Sequence, residues 1–391
     1  MTARPAPAGG APATGAPPAR PRVLVVGPLP PPLGGVQLMI EMLVGSSLSR
    51  DFELHVLDTS KKRLRWAVER QSWRSGFDFV RDATRLVAAL ARLRPDLVYV
   101  HAASGISFLR DAAFLALARL AGRRVVCHYH GTLHTVFPSG RTRFGRLAGR
   151  LLMAAAHRVI VLGPTYQARM GAAWRRDLAW SPNLTDVELY RSVPPDTPVP
   201  WLAPGEPGVL FMGRLSAPKG VRELLEAMPL VLARHPEARF VLCGVGETER
   251  QEAALRAEVE RRGLAPRVAF LGSLEGRDKA VAYATAAVFV SPSWTEAFPL
   301  VVPEAMAAGL PMVLTAVGAI PDFVHDGEDG FLVEPRDVPA LADRVCRLLD
   351  DPGLRRRMSA HVRARAPREF AVEVGAERVR AVFRAALGDR S

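Results

Sequence analysis

The chain has 391 residues, of which 49% are hydrophobic and 23% charged, which is enough apolar material for two cores and so disfavours a single small domain. Residues 1–200 carry 27 basic and 13 acidic side chains, a net charge of +14, whereas residues 201–391 carry 25 and 26, a net charge of −1, so the first half is expected to face an anionic partner and the second half need not. A membrane span is not expected, because Pro299, Pro303 and Pro311 interrupt the most apolar segment, residues 297–321.

Residues 1–20 are rich in Pro, Ala and Gly without a bulky apolar stretch, and this composition predicts a disordered tail with no signal peptide. From Val23 onward, short apolar runs alternate with amphipathic ones, which is the pattern of parallel strands joined by helices. Leu86, Leu90 and Leu93 predict a helix over 81–93 that lies on the sheet. Strands are predicted at 23–27, 54–57, 97–100, 125–129 and 159–162.

Residues 193–208 are dense in proline and have no regular periodicity, which predicts an interdomain linker. The alternation then restarts, and the sequence becomes mostly helical from about Asp337. Further strands are predicted at 209–212, 240–243, 268–271, 288–291, 312–314 and 331–333. The fold class is therefore α/β, with one doubly wound unit at 21–192, a second at 209–370, and a C-terminal helix at 371–391 that returns to the first unit.

The three cysteines, Cys127, Cys243 and Cys346, lie far apart and lack the spacing of metal ligands. Two of them sit inside apolar runs. This pattern is typical of buried thiols in a reducing compartment.

Gly34 and Gly35 follow the first strand and stand immediately before the mainly apolar segment 36–44. Two glycines at a helix N-terminus let backbone N–H groups approach a phosphate closely, and the helix dipole adds attraction. An ordinary glycine turn explains the pair equally well.

Arg214 and Lys219 belong to the sequence GRLSAPKG, residues 213–220, directly after the strand predicted at 209–212. Gly213 lets the chain turn away from the strand, which places both cations over the crevice where such sheets bind ligands. Two fixed positive charges suit a diphosphate, which gains charge as its bond to a sugar breaks. A solvated basic loop is the alternative interpretation.

Glu296 and Glu304 are separated by seven residues, the first in a loop and the second entering a predicted helix. Such carboxylates can accept hydrogen bonds from sugar and ribose hydroxyls. By itself, Glu304 is explained more simply by its favourable place near the positive end of a helix.

His130 directly follows the strand predicted at 125–129 and is itself followed by Gly131. Strand alternation places His128 and His130 on the same side of the sheet. A histidine at a strand end is by itself more often structural than catalytic, and we expect His128 to be structural.

The segments GRLSAPKG, CGVGE (243–247) and SPSWTEAFPLVVPEAMAAG (291–309) resemble the donor half of the family 4 retaining glycosyltransferases, which have a GT-B fold. The resemblance is dense from about 208 to 350. In the first unit it rests on Gly34, Gly35, His130 and the sequence SPN at 181–183. It implies two Rossmann-like domains facing a cleft, with the acceptor held by the first, a nucleotide sugar held mainly by the second, and no required metal or cofactor.

The resemblance also implies a role for individual residues. Arg214 and Lys219 would bind the diphosphate, Glu296 the donor sugar and Glu304 the ribose, while His130 would face the transferred sugar. The implied catalytic set is Arg214, Lys219, His130 and Glu296, and the implied donor-binding set is Gly34, Gly35, Gly213, Phe298, Leu300 and Glu304.

Two positions depart from the family pattern. Pro299 stands where the family commonly has glycine, and proline has no N–H to offer, so contacts there must come from Phe298 or Leu300. Gly318 and Ala319 stand where the family often has two glycines, which makes close backbone approach less free.

The first half also contains a strongly basic segment, because residues 112–176 include eleven arginines and no carboxylate. Helical spacing there separates an apolar stripe, Phe144, Leu147 and Leu151, from a basic stripe, Arg143, Arg146 and Arg150. Lys61, Lys62 and Arg63 add a second cluster beside Trp66. These cations predict a membrane or acceptor face, with a helix packed on its own sheet as the alternative and nucleic-acid binding disfavoured because no reading module is present.

The sequence thus predicts a metal-independent, retaining hexosyltransferase-like enzyme that uses a nucleotide sugar. Its expected partners are a sugar or lipid-linked acceptor and an anionic membrane surface, and no nucleic acid. Its expected place is the cytoplasm, peripheral to the inner face of the plasma membrane, in surface polysaccharide or glycolipid synthesis. The alternatives are a GT-B epimerase or phosphorylase and a non-catalytic, membrane-associated partner subunit.

Overall fold

A computed structural model of the chain describes residues 20–31, 34–60, 74–105, 107–132, 143, 147, 149–150 and 153–388. The tail predicted at 1–20 lies outside these residues except for Arg20. Within the described part of the chain, no helix combines the length and the apolar character that a bilayer crossing requires.

The first half forms a parallel sheet of six strands in the order β2-β1-β3-β4-β5-β6. Its central strands are apolar and buried on both faces, as expected when helices cover the two sides of a parallel sheet. The strands are β1 (Arg22–Gly27), β2 (Glu53–Asp58), β3 (Leu97–Ala102), β4 (Arg124–Tyr129), β5 (Arg158–Val161) and β6 (Ala179–Trp180).

Helices follow the strands of this sheet. They are α1 (Gly35–Gly45), α2 (Leu48–Asp51), α3 (Arg74–Leu93), α4 (Ser107–Leu120), α5 (Pro164–Trp174) and α6 (Val187–Arg191). In α3, Leu86 and Leu90 are buried one turn apart, whereas Val87 between them is exposed. The helical periodicity of the sequence thus fixes which side of α3 meets the sheet.

The second half forms another parallel sheet of six strands, in the order β12-β11-β10-β7-β8-β9. The strands are β7 (Gly208–Met212), β8 (Arg239–Cys243), β9 (Val268–Gly272), β10 (Val288–Ser291), β11 (Met312–Thr315) and β12 (Gly330–Val333). The helices are α7 (Val221–Leu232), α8 (Glu249–Arg261), α9 (Gly276–Thr285), α10 (Val301–Ala308), α11 (Ile320–Phe323), α12 (Val338–Asp350), α13 (Pro352–Phe370) and α14 (Val372–Leu387). The fold is thus α/β with two doubly wound sheets.

The last helix, α14, packs on the first sheet rather than on the second. Phe383 is buried, and its ring centroid lies 5.0 Å from that of Tyr99 in β3 and 5.3 Å from that of Phe52. Arg380 donates to the Asp51 carboxylate at 2.8 Å. Gly375 passes so close to Leu184 that a Cβ there would lie 2.3 Å from the leucine side chain. The C-terminal helix therefore closes the chain back onto the first half.

The two halves also meet directly, next to the cleft. Thr165 at the start of α5 donates its backbone N–H to Asp322 of α11 at 3.0 Å. Asn183, which is buried after β6, donates its side-chain amide to the carbonyl of Phe298 at 2.5 Å. The side chain of Phe298 packs between Phe323 and Phe370. The hydrogen bond from Asn183 holds the loop that contains Glu296 against the first half, while Phe298 anchors the same loop within the second half.

The three cysteines are free and buried. Burial raises the pKa of the Cys243 thiol to about 12, so this thiol stays protonated and poorly reactive at neutral pH.

Candidate active site

Lys219 and Glu296 come together at the carboxyl ends of β7 and β10, the edge at which open parallel sheets bind ligands. The Lys219 Nζ lies 2.5 Å from the Glu296 Oε1, and the buried hydroxyl of Ser293 donates to the same oxygen at 2.9 Å. The lysine side chain remains 25% exposed and that of the glutamate 11%, so part of the pair faces the cleft.

Backbone geometry explains how Lys219 reaches this position. The segment Ala217–Lys219 forms one 3₁₀ turn, which Gly220 ends with a φ of +73°. A Cβ at Gly220 would lie 1.9 Å from the carbonyl oxygen of Pro292, so only glycine lets the two loops approach this closely. Gly220 thus allows Lys219 to approach the loop that contains Glu296.

Arg214 lies in the loop that follows β7 and faces the loop that follows β8. Its side chain is 55% exposed, and its Nη1 is 3.9 Å from a carboxylate oxygen of Glu247. A Cβ at Gly244 would lie 1.8 Å from the carbonyl oxygen of Gly213, so these two loops also pack backbone against backbone. Such a long and exposed ion pair contributes little to stability and leaves the guanidinium able to turn toward an anion.

Glu304 lies in the first turn of α10 and is only 3% exposed. The Lys279 Nζ is 2.5 Å from its Oε1, and the Tyr283 hydroxyl donates to its Oε2 at 2.9 Å. Burial, and then the charge of Glu304, raise the pKa values of Tyr283 and Tyr190 above their usual range, so both hydroxyls remain protonated donors. The carboxylate is therefore held in a fixed orientation.

Gly34 and Gly35 lie where α1 begins, opposite the loop that contains Glu296 and leads into α10. Gly34 has no side chain to cap the helix, and a Cβ at Gly35 would lie 3.6 Å from the Leu300 side chain. The uncapped N-terminus of α1 therefore lies across the cleft from the segment that leads into α10. Its N–H groups and dipole suit an anion at that place.

His130 belongs to a histidine cluster at the carboxyl ends of β3 and β4. The His101 Nδ1 is 2.9 Å from the His130 Nε2, and the Tyr99 hydroxyl is 2.6 Å from the His128 Nδ1. Burial lowers the pKa of His130 to about 3, and those of His101 and His128 well below the ordinary value. All three imidazoles are therefore neutral at physiological pH.

The three histidines are also the group of described residues whose ligand atoms are close enough to hold a metal ion, since these atoms lie within 4.8 Å of one another. Their orientation does not suit one. His101 and His130 bind each other through ring nitrogens, and the rings of His128 and His130 are stacked with centroids 4.3 Å apart. Lone pairs in two stacked ring planes cannot converge on one ion. The geometry favours a hydrogen-bonded stack.

This cluster predicts a pH dependence of stability. The folded state resists protonating the three histidines of this cluster, whereas the unfolded chain protonates them below about pH 6.5. The free energy of unfolding should therefore fall as the pH drops from about 6.5 toward 3, by up to about 1.4 kcal/mol per pH unit for each histidine. Carboxylates titrate at lower pH, so the interval from 6.5 to 5 isolates the histidines.

Urea unfolding at pH 6.5, 6.0, 5.5 and 5.0 measures this slope. The variant His101→Asn should have a shallower slope than the wild-type chain because it lacks one of the buried imidazoles. A wild-type unfolding free energy that stays constant over this interval would contradict the account of the cluster.

Several residues of these clusters were not assigned by the sequence: Tyr99, His101, Ser293, Lys279 and Tyr283. His101 could have been found, because it is the next-to-last residue of β3, and β3 pairs with β4 such that His101 lies beside His128. The one sequence feature that distinguishes Lys279 is that it is one of only four lysines in the chain.

The predicted basic face is described only in part. Arg143 and Arg150 are helical and exposed, and Leu147 between them is 52% exposed rather than packed on a sheet. Arg146, Lys61, Lys62 and Arg63 lie outside the described residues, as do Phe144 and Leu151.

Two family models match this chain. One, described as Glycosyltransferase Family 4, covers residues 33–188, and the other, described as Glycosyl transferases group 1, covers residues 206–351. Together the two matches include most of both sheets.

Curated relatives match along part of their length. The sulfoquinovosyl transferase SQD2 of Arabidopsis thaliana is 29% identical over 283 residues, which are 68% of this chain and 52% of that protein. The phosphatidyl-myo-inositol mannosyltransferase of Mycobacterium leprae is 35% identical over 204 residues, 52% of each protein. The chain thus spans about half the length of these relatives.

Solved structures extend the similarity of fold over nearly the whole chain. Sucrose-phosphate synthase from Thermosynechococcus elongatus has a TM-score of 0.72 at 22% identity, covering 95% of this chain and 100% of that one. Anabaena HepE, in complex with UDP and glucose, has a TM-score of 0.69 at 19% identity, covering 92% and 98%. The arrangement of the two sheets is the GT-B fold.

Proposed function

This chain belongs to the group 1 and family 4 glycosyltransferases, and from that premise we propose that it transfers a sugar from a nucleoside diphosphate sugar to an acceptor hydroxyl, with retention of anomeric configuration and without a metal ion. The observation that carries the proposal is the Lys219–Glu296 pair, which lies at the ligand-binding edge of the second sheet beside the exposed Arg214.

The diphosphate is the leaving group, and it gains negative charge as its bond to the sugar breaks. Lys219 and Arg214 stabilise that charge, and the uncapped N-terminus of α1 at Gly35 supplies N–H groups from the opposite side of the cleft. Positive groups fixed in place before the reaction do not need to reorganise in the transition state, which is why they accelerate it.

Glu296 binds hydroxyls of the donor sugar rather than attacking its anomeric carbon. Lys219 and Ser293 already engage one of its oxygens, so the carboxylate is stabilised as a hydrogen-bond acceptor and is a weak nucleophile. The acceptor approaches the face that the diphosphate leaves, and a departing phosphate oxygen takes the acceptor proton. This same-face path retains the configuration.

His130 faces the transferred sugar from the first half. Because it is neutral, it can donate one hydrogen bond and accept another, and His101 engages its Nε2. The His130 Nδ1 is thus the ring atom left to bind a sugar hydroxyl.

A thermal-shift screen with UDP-, GDP- and ADP-sugars tests the donor class, because a ligand at 100 times its Kd stabilises the folded state by about 2.7 kcal/mol. Product analysis with the donor that protects best, with and without a panel of acceptors, then tests the reaction. Sugar transfer only when an acceptor is present supports the proposal. Epimerisation of the donor sugar without an acceptor would contradict it.

The acceptor belongs, in this proposal, to surface polysaccharide or glycolipid synthesis at the inner face of the plasma membrane. One curated relative, the phosphatidyl-myo-inositol mannosyltransferase, bears a name that refers to a lipid. In this chain, Arg143 and Arg150 are exposed beside Leu147, and Phe77 on α3 is 75% exposed. Exposed cations with apolar side chains are typical of peripheral membrane binding.

Reversing two of these charges, Arg143→Glu with Arg150→Glu, should weaken binding to anionic vesicles about 30-fold or more, since each cation near the surface contributes about 1 kcal/mol. Sedimentation with phosphatidylserine-containing and pure phosphatidylcholine vesicles measures the effect. Arg222→Glu, at an exposed position on the second half, is the matched control and should change binding little. Equal wild-type binding to both vesicles at low salt would rule out the electrostatic mechanism.

A further inference from the structure

The distribution of lysine in this chain is uneven. Of 52 basic side chains only four are lysine, and the two in the second half are Lys219 and Lys279. Each forms an ion pair with one carboxylate of the 296–304 segment, Lys219 with Glu296 and Lys279 with Glu304. Lys219 has a role in the proposed reaction, whereas neither the sequence pattern nor the proposed reaction gives one to Lys279.

Lys279 and Tyr283 lie one turn apart on α9 and hold opposite oxygens of Glu304. The lysine contacts Oε1 at 2.5 Å, and the tyrosine hydroxyl contacts Oε2 at 2.9 Å. The lysine side chain is 16% exposed and that of the glutamate 4%, so the ion pair is shielded from water. A carboxylate held at both oxygens by one helix cannot rotate about its last bond.

Lys279 and Tyr283, with the Tyr190 hydroxyl as a third hydrogen-bond partner, use only part of the acceptor capacity of the carboxylate, because its two oxygens offer about four lone-pair sites. A lysine ammonium is a compact point charge that here engages a single oxygen. An arginine at the same place would present a planar fork that binds both oxygens at once. Lysine is therefore the cation that pairs with Glu304 through one oxygen and still leaves acceptor capacity for a ribose hydroxyl.

We propose that Lys279 is a positioning residue of the donor site, which orients the Glu304 carboxylate to accept hydrogen bonds from the ribose hydroxyls of a nucleoside diphosphate. The inference rests on the proposed function, in which Glu304 binds ribose. A purely structural ion pair between α9 and α10 would affect stability alone. A positioning residue also controls how well the protein distinguishes ribose from deoxyribose.

Calorimetric titration of the full chain with UDP, GDP and ADP, and with their 2′-deoxy counterparts, measures this discrimination. Wild-type protein should bind the ribonucleotide it prefers about 10- to 100-fold more tightly than the deoxy form, as expected for a hydrogen bond to a charged group. In Lys279→Met the ratio should fall below about threefold, with little change in affinity for the deoxynucleotide. Lys279→Arg keeps a cation at this position and serves as the second variant if Lys279→Met fails to fold. Its ratio should also fall, because an arginine binds both carboxylate oxygens.

Arg277→Met is the matched control, because it removes an exposed cation from the same helix and should leave both affinities unchanged. A wild-type ratio retained in a folded Lys279 variant would overturn the inference about Lys279 alone. Wild-type protein that binds no nucleoside diphosphate, or that binds the ribose and deoxyribose forms equally, would overturn the proposed role of Glu304 and this inference with it.

Discussion

Replacing Lys219 with alanine is expected to lower kcat by about 100- to 1,000-fold while the protein stays folded. The ammonium is the less exposed of the two cations that stabilise the departing diphosphate, and it also holds the Glu296 carboxylate at 2.5 Å. The variant therefore loses charge stabilisation in the transition state together with the orientation of a sugar-binding group. The loss should appear in kcat more than in KM for the donor.

Steady-state kinetics of Lys219→Ala beside Arg222→Ala tests this expectation. Arg222 stands three residues further along the chain, but its side chain is 79% exposed and pairs with Glu226 on the surface of α7, so its removal should leave kcat unchanged. Circular dichroism establishes that both variants are folded. Turnover by the Lys219 variant within about threefold of wild type would contradict the assignment of the diphosphate site.

Replacing Phe383 with alanine is expected to lower the free energy of unfolding by about 3–5 kcal/mol, the usual cost of removing a fully buried aromatic ring. Phe383 is 1% exposed and makes edge contacts with Tyr99 and Phe52, so it anchors α14 to the first sheet. The cavity would open directly beneath β3. The expected result is an earlier urea transition of the first half.

Arg384→Ala is the control on the same helix. Its guanidinium is 3.2 Å from the Asp51 carboxylate, but the side chain is 45% exposed, so its loss should cost less than about 1 kcal/mol. A Phe383→Ala variant that is destabilised no more than Arg384→Ala would contradict the claim that Phe383 anchors α14 to the first sheet.

The fold was predictable because its strands are short apolar runs between turns. The strands predicted at 125–129 and 288–291 correspond to β4 (Arg124–Tyr129) and β10 (Val288–Ser291), and their predicted ends differ from the observed ends by at most one residue. In the described part of the chain, the strand that the sequence missed is β6 (Ala179–Trp180), which has two residues and is only half-buried. A strand that short depends on its neighbour β5 rather than on any pattern of its own.

Candidate site residues could be singled out from the sequence only where they lie in a loop that follows a predicted strand. Arg214, Lys219 and Glu296 could be singled out because each lies just beyond a recognisable strand. Their pairing could not, because Lys219 and Glu296 are 77 residues apart and meet only through the order of the strands in the second sheet. The same holds for His101 and His130, which are 29 residues apart and meet because β3 and β4 are adjacent strands.

The two departures from the family pattern have different structural outcomes. Gly318 still has to be glycine, because its φ is +63° and a Cβ there would lie 2.3 Å from the carbonyl oxygen of Ala297. Ala319 is accommodated, since it is fully buried and donates its N–H to that same carbonyl at 2.8 Å. Pro299 lies two residues before α10, ahead of the N-cap residue Leu300, and its carbonyl accepts from the N–H of Val302 at 3.2 Å. Proline, which has no N–H to donate, is thus accommodated just ahead of the helix.

A crystal structure of the protein with a bound nucleoside diphosphate tests the central claim most directly. We expect the diphosphate in the cleft, with its oxygens within hydrogen-bonding distance of the Lys219 ammonium and the Arg214 guanidinium, and with the ribose against Glu304. A nucleotide bound at any other place, or these two cations turned away from its phosphates, would contradict the account.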